Sequence, residues 1–149
     1  MNTPSPRTNS TEATLFVDTS ALLRRYVHAP GRDLVMATME SASNWSASAL
    51  ARTEVLLALR QMAVHAGQQD ELWQMARDEW ETFWVVPVDD RCLARAVEIG
   101  TEYGLRTIDA IHLAAAQRVP APVRFLTFDR RQIPAAAALG FDVVSPVAA

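Results

Sequence analysis

The chain has 149 residues, half of them hydrophobic and 21% charged, the balance of one soluble globular domain rather than a disordered or fibrous chain. A net charge of −3 argues against a protein that coats nucleic acid by bulk electrostatics, so any such contact has to be local. One cysteine, Cys92, rules out an internal disulfide framework and agrees with a reducing compartment.

The N-terminal stretch MNTPSPRTNSTEA lacks the apolar region of a secretory signal, and no apolar run is long enough to span a bilayer. A cytoplasmic location and no membrane partner are expected. Residues 1–12 read as a mobile tail, leaving 13–149 as one domain. All 14 basic residues are arginines; planar guanidinium forks suit phosphates, although coding bias explains the same composition.

In chain order, TLFVDTS is an apolar run ending in acid and hydroxyl groups, a strand that leads into the helix ALLRRYV. Gly31 to Ser41 reads as a short helix and NWSAS as a strand. ALARTEVLLALRQMAVHA reads as a long amphipathic helix closing near Gly67, and Asp70 to Trp80 as another helix. FWVVPV reads as a strand despite Pro87. The helix DDRCLARAVEIGTEYG precedes LRTIDAIHLAAA, whose Leu105, Ile108, Ile111 and Ala115 recur at helical spacing with Thr107 as N-cap. VRFLTF (strand), RRQIPAAAAL (helix) and FDVVS (strand) complete the chain. Strands alternating with helices predict an α/β fold of three layers, a central, mostly parallel sheet with helices on both faces.

In such sheets ligands bind beyond the carboxyl ends of the strands. Asp18 and Asp129 each fall at such an end, where either would also serve as a helix cap. Glu54, with Leu50, Leu57 and Ala58 on its helix face, and Asp109, flanked by Leu105 and Leu113, are misplaced carboxylates on apolar faces. Buried unpaired carboxylates cost several kcal/mol and ask for a partner. Arg52 or Arg106 would supply a structural ion pair. A divalent cation is the alternative, because hard cations such as Mg²⁺ take carboxylate oxygens.

FVDTS with Asp18, ARTEVLLAL with Glu54, LRTIDAIHLAAA with Asp109 and FLTFDRR with Asp129, in this order, resemble the PIN-domain nucleases, most closely the VapC toxins of type II toxin-antitoxin pairs. The likeness runs from about Thr14 onward and leaves only the tail outside. It implies an endoribonuclease that hydrolyses RNA phosphodiester bonds with one or two Mg²⁺ ions, or Mn²⁺ in their place. Asp18 and Asp109 would hold the metal, Asp129 and Glu54 would add direct or water-mediated ligands, and Ser20 and Thr127 would be supporting hydroxyls. His112, three residues after Asp109, reads as structural or as an outer support.

The resemblance further implies a VapB-like antitoxin whose tail places an arginine or other cation at the acids, and operator DNA bound only through that antitoxin. Trp45, Trp73, Trp80 and Trp84 suggest a homodimer interface, against core packing as the plainer account. Other readings are a free-standing RNA-processing nuclease and a catalytically silent PIN-like interaction module. A haloacid-dehalogenase-like phosphatase would need a second aspartate where Ser20 stands, and no G-x-S-x-G elbow supports a serine hydrolase.

Overall fold

The computed structural model describes residues 12–146, so the expected tail lies outside the described residues except for Glu12. That residue's carboxylate accepts a hydrogen bond from the Ser43 hydroxyl. The elements are β1 (Thr14–Val17), α1 (Thr19–Tyr26), α2 (Arg32–Ser41), β2 (Trp45–Ser48), α3 (Ala49–Met62), α4 (Ala66–Trp80), β3 (Trp84–Val86), α5 (Asp90–Tyr103), α6 (Thr107–Ala116), β4 (Val123–Leu126), α7 (Gln132–Ala138) and β5 (Asp142–Val144).

The strands form one sheet in the order β3-β2-β1-β4-β5, and every pairing is parallel. Side chains alternate across it. Leu15 and Val17 face a core built with Leu22, Val35, Val55 and Leu59 from α1 to α3. Phe16 faces the opposite core, with Ile99, Leu113 and Ala136 from α5 to α7, where its ring stacks on Phe125 at 5.6 Å. The result is the three-layer α/β arrangement that the alternation of elements predicts.

Three local expectations need correction. The long helix stops at Met62, and α4 starts at Ala66 behind His65, whose Nδ1 accepts from Gln68 N at 3.1 Å. An imidazole can cap a helix, but the sequence around it carries neither proline nor a usual capping residue to mark the break. Gly67 therefore lies inside α4. Thr107 is the first helical residue rather than the N-cap, a place taken by Arg106 without a side-chain bond.

Helix α6 is also not one-sided. Ala110 to Ala116 are all buried, whereas Ile108 is 44% exposed, because α6 is packed between α5 and the sheet and only its first turn reaches the surface. Finally, three of the four tryptophans serve the fold. Trp80 stacks on Phe83 and Trp45 meets the same ring tilted at 49°, and Trp73 Nε1 donates to Leu56 O at 2.8 Å. Only Trp84 is half exposed, so core packing, the plainer account, explains the other three, which are partly buried.

Candidate active site

From β1 the chain crosses toward β2 and β3, then returns past β1 to β4. The neighbours β1 and β4 therefore connect in opposite directions, and a crevice opens at their carboxyl ends. Asp18 is the first residue beyond β1, and its N–H donates to Leu126 O of β4 at 3.1 Å. Its side chain caps α1 by accepting from Ala21 N at 3.2 Å. Ser20 Oγ donates to Asp18 Oδ1 at 2.6 Å, and Thr127 Oγ1 lies 2.8 Å from Oδ2. Only 3% of Asp18 is exposed. Burial pushes its carboxyl above the usual range, and the field of His112 followed by these hydrogen bonds offsets that only in part.

Asp129 follows β4. Its N–H donates to Thr127 Oγ1 at 3.0 Å, and its Oδ1 accepts from Arg131 N at 2.9 Å. The carboxylate thus braces the turn before α7 rather than capping the helix itself, which begins at Gln132. Asp109, in the first turn of α6, is pushed up to about 6 by burial, then by the charge and hydrogen bond of Asp129 and the charge of Asp18, against the opposing field of Arg106.

Glu54 comes from α3. Its Oε1 accepts from Thr19 Oγ1 at 2.6 Å and from His112 Nε2 at 2.7 Å. Burial alone would raise this carboxyl, but those two bonds outweigh it and hold the group below the usual range. Glu54, Arg106, Thr107, Ile108, Asp109 and Asp129 line a cleft of about 430 Å³.

Among the described residues, no group of three or more His, Cys, Asp or Glu side chains stands placed to hold a metal ion. The donor chemistry still suits a hard divalent cation. It offers carboxylate oxygens at a strand end and a helix start, and the repulsion by Asp129 and Asp18 that adds to burial in raising Asp109 is what a cation would cancel.

Residues 15–138 match the PIN domain family. The chain belongs to the PIN-domain family. It is 33% identical to Ribonuclease VapC46 of Mycobacterium tuberculosis, an alignment that covers 90% of this chain and 98% of that protein. Among solved structures it resembles a toxin-antitoxin complex from Klebsiella pneumoniae, with a TM-score of 0.67, 22% identity, 92% of this chain and 100% of that one. It also resembles FitAcB from Neisseria gonorrhoeae, with a TM-score of 0.68, 18% identity, 88% of this chain and 95% of that one. At those identities the structural likeness establishes the fold.

Within this PIN domain Asp18, Asp109 and Asp129 form one electrostatically linked group, and Ser20 and Thr127 both bond Asp18. Glu54 shares the cleft with Asp109 and Asp129 but is held by hydroxyl and imidazole donors. Neither Arg52 nor Arg106 makes an ion pair among the described residues, and of the four acids Glu54 alone has a histidine, His112, as its partner.

Three further residues matter. Thr19 and His112 bond Glu54. Gln132, fully buried, places Oε1 2.9 Å from Thr127 Oγ1 and donates from Nε2 to Asp109 O at 3.4 Å. Thr19 beside Asp18, and His112 one helical turn from Asp109, carried a signal in their spacing. Gln132 carried none, since a glutamine in a predicted helix reads as surface.

Proposed function

We propose that this chain is a divalent-metal-dependent endoribonuclease and the toxic component of a VapBC-type toxin-antitoxin pair. The observation that carries the reading is one cleft lined by Asp109, Asp129 and Glu54, with Asp18 near enough to lift the Asp109 carboxyl. The ribonuclease relative and the toxin-antitoxin fold neighbours support it. Asp18, Asp109 and Asp129 would hold Mg²⁺ or Mn²⁺, one ion or two, with Glu54 as a direct or water-mediated ligand.

When bound, the cation supplies charge stabilisation at the phosphoryl oxygens and lowers the pKa of an attacking water. Ser20 and Thr127 keep both oxygens of Asp18 in place. Asp129 is oriented by the Arg131 N–H. Glu54 keeps its charge, which suits a ligand or orienting group better than a general base poised near neutrality. Arg106, exposed at the cleft rim, is placed to meet an RNA phosphate. The protein's net charge of −3 makes such local contacts necessary.

Residues 13–149 act as one PIN domain with residues 1–12 as a tail outside it. The protein works in the cytoplasm as a homodimer, a state that sedimentation showing only monomer at micromolar concentration would refute. Its partner is a VapB-like antitoxin that brings operator DNA and lays an arginine or another cation among the acids, copying the charge of the metal.

The decisive experiment is cleavage of end-labelled RNA by the purified protein. Cutting is expected with Mg²⁺ or Mn²⁺, and none with EDTA or in Asp18→Asn. Undiminished cutting under either of the last two conditions overturns the proposal.

A further inference from the structure

Among the described residues, His112 Nδ1 is the buried side-chain polar atom without a hydrogen-bond partner. The residue is 2% exposed, so water does not serve that nitrogen freely. Leaving a polar atom unpaired costs stability, and a buried leucine or methionine would fill space without that cost. The compensating contact lies across the ring. Nε2 is 2.7 Å from Glu54 Oε1 and 3.3 Å from Thr19 Oγ1, and Thr19 donates to the same carboxylate oxygen at 2.6 Å. An ionised carboxylate only accepts, so the imidazole proton on this side is the donor.

One oxygen of an α3 residue is therefore gripped from α1 and from α6. His112 also stands three residues after Asp109, a separation that puts both on neighbouring positions of one helix face. A single helix thus carries one acid of the cleft and, a turn further in, the donor that fixes another. The geometry points to His112 as a positioning residue that sets the Glu54 carboxylate relative to Asp109. It acts through Glu54 and touches neither substrate nor cation. The inference rests on reading the cleft as a divalent-metal nuclease site.

Gln and Asn at this position separate positioning from filling. The Gln amide nitrogen reaches the place of Nε2, whereas the Asn amide stops at the place of Nδ1. Mn²⁺ titrated into the full-length metal-free protein, with free ion followed by electron paramagnetic resonance, reads the effect. His112→Gln is expected to stay within about threefold of the wild-type affinity and His112→Asn to lose roughly 10- to 100-fold, the usual penalty for removing a ligand's support.

In a Glu54→Ala background the Asn substitution should cost no further affinity. Equal losses in the Gln and Asn variants, or an Asn loss that persists without Glu54, would overturn the inference. If the wild type binds no Mn²⁺, the metal reading fails instead. The positioning claim then rests on denaturant midpoints, where His112→Asn and Glu54→Ala must be non-additive, and additive midpoints refute it.

Discussion

Replacing one Asp18 oxygen by an amide nitrogen should leave the fold intact, because each neighbour has an alternative bond. The remaining oxygen keeps the Ser20 and Ala21 donors. Thr127 Oγ1 then accepts from the new amide, and its single proton turns to Gln132 Oε1, 2.9 Å away. Asp18→Asn in EDTA should melt at or above the wild type, by about 1 kcal/mol at most, while losing RNA cleavage. Asp18→Ala removes the cap and two buried bonds and should cost about 1–3 kcal/mol. Equal destabilisation of both variants in thermal melts would contradict this.

Asp109 gives a pH signature. Its native carboxyl titrates at about 6, above the ordinary 3.8, so the folded state binds the proton more tightly than the unfolded chain does. Stability from this group is therefore highest below about pH 4 and declines as pH rises to about 6, by an amount on the order of 1 kcal/mol once solvent screening of a half-exposed group is allowed for. Urea midpoints in EDTA at pH 4.5 and 7.5 should show a larger decline in the wild type than in Asp109→Asn, where only the raised Asp18 carboxyl remains to contribute. Asp18 and Asp129 were legible because each ends an apolar strand. Asp109 was legible for a partly mistaken reason, since the structure places it on the half-buried first turn of α6 and not on an apolar stripe.

Between α1 and α2, Gly31 takes a φ of 88°, and a Cβ there would stand 2.2 Å from Phe128 Cε1. Arg24 lies over the same ring at 4.1 Å. The α1–α2 turn thus clamps the loop that carries Asp129. Gly31→Ala should cost about 1–3 kcal/mol from strained backbone and overpacking. Adding Phe128→Ala should relieve the steric part, so the double variant is less destabilised than the sum of the singles. Additive urea midpoints would refute the clamp.

Most elements could be read from the sequence because strand and helix periodicities differ. The break between α3 and α4 was read too late in the chain, near Gly67 rather than at residues 63–65, since its place depends on an imidazole cap. The burial of α6 on all sides could not be read, because alanine suits exposed and buried helix faces alike.

For the molecule as a whole, the crowding of these acids predicts a specific response to cations. Millimolar Mg²⁺ or Mn²⁺ should stabilise the wild type by mass action, by about 2.7 kcal/mol at a hundredfold excess over Kd, and should stabilise Asp18→Asn and Asp109→Asn much less. Thermal melts with and without EDTA test this, and equal shifts in all three proteins would refute a shared cation site. The charge balance bears on the same point. A chain of net charge −3 gains nothing from long-range attraction to a polyanion, so under the proposed function cation and rim arginine together would have to supply the local positive field for RNA.

Alternation of apolar strands and helices, and the acids that end two of those strands, were determined by the sequence, because side-chain periodicity and strand-end chemistry are local properties. Three-dimensional packing decided the rest. Strand order places β1 beside β4, and so Asp18 beside Thr127, across 109 positions of chain. The same packing turns Glu54 toward His112, 58 positions away, and buries Gln132 between Thr127 and Asp109. Contacts of that length depend on how the helices cover the sheet, which no window of neighbouring residues encodes.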